Sequence, residues 1–352
     1  METLRGVPAS ERERAPRAGF VSLRDVPWLT WAPVLAMLML FVANLVAPEG
    51  LRTVTLPIAI VGALAGLPHG AVDHLLPGWL LLGASSSPGG QRRRVGARDV
   101  VWLLVGYLFS AAAMGALLVL APAPTLIAFL VVAGAHFGWG EVTAGADRRG
   151  ARLALNLVSV LHALAVGLVT VGLIVWSQPD ATDPIVRAMS PTVADLAITS
   201  RSAGLSTVVV VVGAALAALL WRRQGQQAFE LVLLALVFAT CPPLAAFGVY
   251  FGLWHAVRFT GRLVDAVRLH DGLVSRVDHG GAAAVRHLTR LSVAPTAVAL
   301  VAVGVIISLS GVVTIQAQVA VLLAVTFPHA AVVAWLDARR SSGQEQTFGS
   351  LS

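Results

Sequence analysis

The chain has few charged side chains. Asp, Glu, Lys and Arg make up 12% of the residues, whereas a soluble domain carries roughly 25%. Hydrophobic residues make up 57%, and the mean hydropathy is +0.80. This composition excludes a soluble globular domain and predicts an integral membrane protein. Because hydrocarbon offers no partners for backbone N–H and C=O groups, long apolar segments fold there as helices. We therefore expect an all-α, multi-pass protein of a cell membrane, such as the bacterial inner membrane.

Two residue types are nearly or entirely missing. Cys241 is the only cysteine, which excludes an internal disulfide and any cysteine-based zinc or iron–sulfur framework within one chain. Lysine is absent, so all 25 basic residues are arginines, and the net charge is +7. The arginines lie between the apolar runs, which is typical of loops that face anionic lipid. The basic charge therefore predicts the lipid bilayer as a partner, and no nucleic acid.

Ten apolar segments are candidate membrane spans, because a spanning helix needs about 20 mainly apolar residues. They are residues 28–48, 55–76, 99–121, 125–141, 153–176, 205–221, 229–242, 243–259, 292–312 and 317–337. The seventh and eighth are short and meet at Pro242–Pro243, where a regular helix cannot continue. They form either two short helices or one long kinked helix.

The spans form a single transmembrane helical domain over residues 28–340, flanked by polar segments. Residues 1–25 and 341–352 are predicted to be disordered tails. The arginine-rich stretch 260–291 is predicted to lie on the membrane as an interfacial amphipathic helix. Its three histidines are expected to be ordinary interfacial residues: His270, His279 and His287.

The arginines also predict the orientation of the chain. With ten spans and a cytoplasmic N-terminus, all but three of the 25 arginines face the cytoplasm. The exceptions are Arg52, Arg187 and Arg201. The positive-inside rule therefore predicts that both termini are cytoplasmic.

Five of the nine histidines lie inside the apolar segments: His69, His136, His162, His255 and His329. A polar ring is costly in hydrocarbon unless something binds it, so each is a candidate for a functional site. The predicted topology places all five in the cytoplasmic half of the membrane, and a common depth favours one shared site. His162 has no Gly, Pro or acidic neighbour. It is either a core histidine with one hydrogen bond or a residue that supports the site.

The string LPHGAVDH at residues 67–74 combines two histidines with a carboxylate. His69 and Asp73 are four residues apart and share a helical face, whereas His74 points away from His69. A ligating imidazole usually donates its second N–H to a carboxylate or a carbonyl. Asp73 is therefore expected to orient His69 or a histidine on a neighbouring helix. His74 is either a helix-end residue at the membrane surface or a further ligand.

Three further strings combine a histidine with glycine, proline and aromatic residues. They are HFGWGE at residues 136–141, YFGLWHAVRF at 250–259 and FPHAAVVAWLD at 327–337. Of the charged residues in these strings, Glu141 and Arg258 are expected near the membrane boundary and Asp337 at the surface. Three or four imidazoles that converge without thiolates suit iron, copper or zinc rather than magnesium or calcium. The four strings together therefore predict a metal centre, but they leave the substrate open.

The four strings, in this order, resemble those of the Brp/Blh family of membrane carotenoid oxygenases, the bacterial and archaeal β-carotene 15,15′-dioxygenases. The resemblance in helix layout extends over roughly residues 55–340. It implies an enzyme that holds non-haem Fe(II) with histidines and cleaves the central 15,15′ double bond of β-carotene with O₂. The products are two molecules of retinal. A retinal-binding opsin is then an expected downstream acceptor.

The resemblance, taken position by position, assigns iron ligation to three histidines: His69, His136 and His255. The family's WH-x-x-RH string normally ends in a second histidine, and here Phe259 stands in that position. Three outcomes stay open: a three-histidine site, a substitute ligand such as His74 or His329, or an altered or lost activity. Catalysis would depend on these ligands and on Asp73.

Five aromatic residues beside the histidines are expected to line an apolar tunnel for the polyene. They are Phe137, Trp139, Tyr250, Phe251 and Trp254. β-Carotene is a long hydrocarbon dissolved in the bilayer, so the tunnel must be accessible from lipid. The metal would supply the oxidative chemistry, while the protein binds and orients the substrate and excludes water.

Other classes of protein fit the same residues. Histidines on neighbouring helices at one depth suit a bis-histidine haem protein of electron transfer, and a polytopic chain without enzymatic activity can be a transporter. Against transport, the segments lack a clear inverted repeat and a midplane carboxylate. A two-iron oxygenase or desaturase needs clustered HxxxH pairs, and the sequence contains none.

Overall fold

The computed structural model describes residues 27–73, 97–149, 151, 153–264, 286–297, 300–301, 323–335 and 337–338. Every regular element in these ranges is helical, which confirms the all-α prediction for this part of the chain. The predicted tails lie outside the described residues, as do His74 and the middle of the predicted interfacial segment, residues 265–285.

The helices are numbered in chain order over the described residues. They are α1 (Pro27–Val46), α2 (Pro48–Thr53), α3 (Thr55–Ala71), α4 (Ala97–Leu120), α5 (Pro122–Arg149), α6 (Leu157–Trp176), α7 (Pro179–Met189), α8 (Pro191–Thr199), α9 (Arg201–Trp221), α10 (Gly225–Thr240), α11 (Pro243–Val249), α12 (286–297) and α13 (Leu323–Trp335). A π-helical segment, Tyr250–His255, continues α11, and residues 256–264 then return to α-helix. Within α6, residues Leu168–Gly172 are also π-helical.

Three of these helices are long and apolar enough to cross a membrane: α5, α6 and α9. Shorter apolar helices accompany them within α1, α3, α4, α10 and α13. Large apolar side chains cover much of the outer surface, and on α9 Val209 and Val210 are about 70% exposed. Such a surface suits contact with lipid. The chain is thus a helical membrane protein, while ten spans and cytoplasmic termini remain predictions.

The fourth predicted span was too short. Residues 125–141 were expected to cross the membrane, but α5 continues unbroken to Arg149. The extra turns contain polar and charged residues, among them Glu141 and Arg148, which hydropathy assigns to the membrane boundary. The helix continues because these side chains are buried against neighbouring helices, where ion pairs replace water.

The chain breaks into two helices at Cys241, which decides between the two structures that the sequence left open. α10 ends at Thr240, Cys241 is extended, and α11 begins at Pro243. Proline suits a first helical position because the N–H group that it lacks has no partner there. The break leaves carbonyl groups without helical partners, and side chains bind two of them. The Nε2 atom of Gln178 donates to the Cys241 carbonyl at 2.7 Å, and Asn44 donates to the Thr240 carbonyl at 3.2 Å.

Two short helices occupy the stretch between α6 and α9, where the search for long apolar runs predicted no structure. Each begins with a proline, and the Ser190 side chain caps α8 by accepting from the N–H of Val193. Arg187 joins them through ion pairs with Asp183 and Asp195. Local capping and charge pairing, and not hydropathy, therefore build this part of the fold.

Close helix packing brings α3 against α11 and the π-helical segment. A Cβ atom on Gly62 would overlap the carbonyl of Gly248, and one on Gly252 would overlap that of Gly62. A Cβ on Gly66 would overlap the ring of Phe251. Small residues allow this approach, as is usual for helices that pack in membranes. The contact holds the end of α3 beside the end of the π-helical segment, and these two ends carry His69 and His255, two of the candidate site histidines.

Candidate metal centre

Four histidines from four helical segments converge in the interior. They are His69 on α3, His136 on α5, His255 at the end of the π-helical segment and His329 on α13. The ring centroid of His69 lies 5.3 Å from that of His255 and 4.9 Å from that of His329. The centroid of His136 lies 5.0 Å from each of the same two rings. The sequence predicted a shared site, and the structure brings these four together.

The ligand atoms of the cluster are close enough to bind one ion. One nitrogen from each of His69, His255 and His329 lies within 4.8 Å of the others, and all three residues are buried. The Nε2 atom of His136 lies 3.2 Å from the Nε2 atom of His255, so a fourth imidazole adjoins this group of three. These donors are imidazoles without a thiolate, which suits iron, copper or zinc.

Two of the rings are oriented through their second nitrogen. The Nδ1 atom of His69 contacts the carbonyl oxygen of Gly66, and the Nδ1 atom of His329 lies 2.7 Å from Oδ2 of Asp73. Such bonds fix the tautomer that leaves Nε2 with a lone pair. Of the two partners predicted for Asp73, the structure shows the histidine on a neighbouring helix.

The Nε2 atom of His329 supplies a test of whether a metal fits. This atom is buried and has no hydrogen-bond partner among the residues that the structure describes. A buried polar atom without a partner costs free energy on the order of 1–3 kcal/mol, and a metal ion would satisfy it. The residues present therefore fit a metal ion held by three or four imidazoles.

Apolar rings close around the cluster. The ring of Phe137 lies 4.9 Å from His255, and that of Phe251 lies 5.5 Å from His69. Tyr250 packs on Phe137 at 5.3 Å and lies 6.3 Å from His255. Three of the five aromatic residues predicted as substrate contacts thus surround the histidines.

The other two predicted contacts lie elsewhere. Trp254 is fully buried, but its indole N–H donates to Glu141 at 2.9 Å, which directs the ring toward a group of charges. Trp139 is only partly buried. Within the part of the chain that the structure describes, neither ring contacts a histidine of the cluster. They lie on the same helices as the cluster but face other directions, because successive residues turn about 100° around a helix.

Phe259 lies inside the cluster, where the family string calls for a histidine. Its ring centroid is 5.6 Å from His69, 5.4 Å from His329 and 6.4 Å from His255. The phenyl ring offers no ligand atom. His329 borders the same space from α13, so it can supply a nitrogen that Phe259 cannot.

Two glycines leave room for the rings. A Cβ atom at Gly140 would lie 3.7 Å from Cε1 of His255, and one at Gly70 would lie 3.5 Å from Nδ1 of His329. Both distances are ordinary contacts, so alanine fits at either position, but a longer side chain would enter the space that the imidazoles occupy. These glycines therefore define walls of the site.

A buried group of charges beside the cluster was missed in the sequence. Arg258 contacts Glu141 and lies 3.0 Å from Glu230, which also pairs with Arg148 at 2.8 Å. We call these four residues the charge network. The guanidinium group of Arg258 stacks on Trp254 at 3.9 Å. Glu141 and Arg258 are buried, because charges from three helical segments neutralise one another, and their place near the membrane boundary stays a prediction. The spacing of Trp254 and Arg258, four residues apart, was the available signal.

A second buried pair corrects the expectation that Asp337 lies at the surface. Asp337 is 7% exposed and contacts Arg262, which also lies 3.4 Å from Asp147. These charges link α5, the residues that follow α13 and the helical residues 256–264. The pair lies about two helical turns beyond His329 in the chain, and it holds that helix against the rest of the centre.

His162 does not belong to the cluster. It is 5% exposed and lines a cavity of about 200 Å³ to which none of the four cluster histidines contributes. The side chain of His287, on α12, is exposed, while His270 and His279 lie outside the described residues, so the interfacial position of these three histidines stays a prediction.

The fold and the site define a class: an all-α membrane protein with a buried histidine cluster able to hold a metal ion. The chain belongs to the beta-carotene 15,15'-dioxygenase family, whose model matches residues 59–337. It is similar to a protein named probable beta-carotene 15,15'-dioxygenase Blh from Halobacterium salinarum. The two are 29% identical over 314 residues, which cover 80% of this chain and 84% of the relative. No solved structure matches the chain.

Proposed function

We propose that this protein is a non-haem Fe(II)-dependent dioxygenase that cleaves the central 15,15′ double bond of β-carotene with O₂ to give two molecules of retinal. Membership of the family supports a β-carotene dioxygenase. The observation that carries the proposal is the convergence of four histidines, one of which has a buried nitrogen without a partner. Iron, the cleavage position and the ligand set go beyond the family match.

The ligands we propose are His69, His255 and His329, with His136 as a fourth nitrogen at the same space. Bound iron would supply the activation of O₂. Asp73 would hold the imidazole of His329 in the ligating tautomer, and the Gly66 carbonyl would do the same for His69. His329 would thereby supply the ligand nitrogen that the family's second histidine provides and that Phe259 cannot.

The apolar walls suit the overall reaction. One carbon–carbon double bond and O₂ become two carbon–oxygen double bonds, so no proton enters or leaves the balance. The site accordingly needs no acid or base that faces the substrate, and Asp73 is engaged with His329. Phe137, Phe251 and Phe259 would bind the hydrocarbon and exclude water that competes for the centre.

The membrane location suits a substrate that dissolves in lipid. We propose that the protein crosses the bacterial inner membrane several times with cytoplasmic termini. β-Carotene would then enter from the bilayer, and retinal would leave into it. A retinal-binding opsin is the downstream acceptor that we expect.

The ring contacts favour a non-haem centre over a bis-histidine haem. In a bis-histidine haem protein, the porphyrin lies between the two axial imidazoles. Here the four rings instead meet edge to face at centroid distances of 4.9–5.3 Å, which leaves no room for a porphyrin between them. The Nε2 atoms of His136 and His255 are only 3.2 Å apart, which suits two neighbouring ligands of one ion but is too short for the two axial ligands of a haem, whose nitrogens lie about 4 Å apart on opposite sides of the iron at bond lengths of about 2 Å. A Soret band in the purified protein would favour the haem alternative instead.

The proposal is tested by expressing the chain in a β-carotene-producing bacterium. We expect the cells to bleach and to contain retinal, and we expect His69→Ala and His255→Ala to abolish both changes while the protein stays in the membrane. His287→Ala, which removes an exposed imidazole, is the matched control and should behave as wild type. Retained colour without retinal, with wild-type protein present in the membrane, would refute the proposal.

A further inference from the structure

A polar cavity lies among four helix ends, apart from the histidine cluster. Its volume is about 200 Å³, and its walls come from the end of α5, the start of α6, the end of α9 and the start of α10. The arginine distribution predicts that these four ends face the cytoplasm. No aspartate or glutamate is among the lining residues, but two arginines are: Arg149 and Arg222.

Two buried polar side chains face this cavity without a partner. His162 and Gln227 are each 5% exposed, and both line the cavity. Neither side chain makes a hydrogen bond within the part of the chain that the structure describes. A Cβ atom on Gly145 would come within 2.5 Å of the Gln227 amide nitrogen, so the glycine makes room for this amide. Buried amides and imidazoles are normally hydrogen-bonded, and a polar occupant of the cavity would satisfy both.

The positive charges of the arginines that line the cavity favour an anion as its occupant. Arg149 lines the cavity at the end of α5, and the neighbouring Arg148 pairs with Glu230 in the charge network. Arg222 approaches from the end of α9. The start of α10 adds backbone N–H groups, because no side chain caps that helix. Helix N-terminal N–H groups and arginines are the donors that bind phosphate oxygens in proteins.

We propose that this cavity binds a phosphate group, with Arg149 and Arg222 as its charged donors and His162 and Gln227 as its buried polar partners. The same chemistry would recognise the headgroup of an anionic phospholipid or a free phosphate. The location among predicted cytoplasmic helix ends favours the lipid, because basic pockets between membrane helices bind anionic headgroups there. The site is independent of the metal centre and of the function proposed for it.

The test uses the full-length protein in mild detergent and native mass spectrometry. Short-chain phosphatidylglycerol, phosphatidylcholine and inorganic phosphate are added separately, and bound species are counted. We expect phosphatidylglycerol to bind in preference to phosphatidylcholine. Each of Arg149→Gln and Arg222→Gln should weaken it roughly fivefold, because one arginine near the membrane surface contributes about that factor. Competition by inorganic phosphate would identify the free ion as the ligand of the same site.

The control variant is Arg223→Gln, which removes the same charge one residue away. Arg223 is not among the cavity-lining residues, so binding should stay at the wild-type level. Gln227→Leu removes the buried amide without changing the charge and should also weaken binding, while the melting temperature reports whether each variant folds. The proposal would be overturned if the Arg149→Gln, Arg222→Gln double variant bound phosphatidylglycerol as wild type does, or if Arg223→Gln lost as much binding as the cavity variants. It would also be overturned if neither phosphatidylglycerol nor inorganic phosphate bound.

Discussion

The histidine cluster and the charge network share two helical segments but differ in which of their polar atoms lack hydrogen-bond partners. Helix α5 contributes His136 to the cluster and Glu141 to the network, and the chain after α11 contributes His255 and, three residues later, Arg258. In the network, all four carboxylate oxygens of Glu141 and Glu230 have arginine, tryptophan or glutamine partners. Among the described residues, an unpartnered buried atom of the network is the Nε–H donor of Arg258, whereas in the cluster one is the Nε2 atom of His329.

This difference distinguishes a group of residues that stabilises the fold from one that binds a ligand better than burial does. Both groups are polar, buried and surrounded by apolar residues. A network whose carboxylates are fully paired offers a cation no free acceptor, and the unpartnered Nε–H group of Arg258 is a donor that cannot bind a metal ion, so we infer that the network holds helices together. A cluster with an open nitrogen retains the capacity to bind. The comparison therefore predicts that changes in the network affect folding first, while changes in the cluster affect metal binding first.

The largest effect is expected when the network loses one charge. Glu141→Ala leaves Arg258 buried with one fewer partner and should lower the free energy of unfolding by about 3–5 kcal/mol. Denaturation of the purified protein in detergent measures the change. Arg52→Ala is the matched control, because it breaks an exposed ion pair with Glu49 and should cost less than about 1 kcal/mol. Equal stability of Glu141→Ala and wild type would show that the network does not hold the fold.

A smaller effect, on metal binding alone, is expected at Asp73. Asp73→Asn keeps the shape of the side chain but removes the carboxylate that orients His329. Loss of such a partner typically lowers metal affinity by about 10–100-fold. Titration with a competing chelator measures the affinity, and the melting temperature of the metal-free protein serves as the control for folding. An unchanged iron affinity would mean that His329 is oriented by other contacts or is not a ligand.

The walls of the cluster should tolerate one added methyl group but not a larger side chain. Gly140→Ala places its Cβ atom at an ordinary contact distance from His255 and should leave retinal formation nearly unchanged. Gly140→Leu would push into the imidazole, and overpacking of this kind costs about 1–3 kcal/mol. Retinal formed per unit of membrane protein measures both variants. Equal activity of the two would place the reacting space away from Gly140.

The smallest effect is expected at Phe259. Phe259→His restores the family's histidine beside His69 and His329 and should raise iron affinity several-fold, because His329 already supplies a nitrogen to the same space. Phe259→Leu is the control for the loss of the aromatic ring. A large gain in Phe259→His would instead identify the missing ligand as the main defect of the wild-type site.

The centre was predictable in outline because its rules are local. A histidine in an apolar segment needs a partner, and four strings with glycine, proline and aromatic residues indicated which histidines share one site. The spacing of His69 and Asp73 likewise predicted an orienting carboxylate. The choice of His329 as its partner was not predictable, since the two residues are 256 positions apart and no local pattern connects them.

The charge network was not predictable for the same reason. Glu141, Glu230 and Arg258 come from three helical segments, and each appears in the sequence as a charge near the end of an apolar run. Hydropathy assigns such charges to the membrane boundary. Only their meeting in three dimensions explains why α5 runs to Arg149 and why Trp254 faces a carboxylate and not the histidine cluster.

The most direct test of the account is the iron content of anaerobically purified protein, compared among wild type, His329→Ala and the His329→Ala, Phe259→His double variant. We expect wild-type protein to retain iron, His329→Ala to lose most of it while still folding, and the added histidine to restore it. Wild-type iron content in His329→Ala, or iron-free wild-type protein that still forms retinal, would contradict the account.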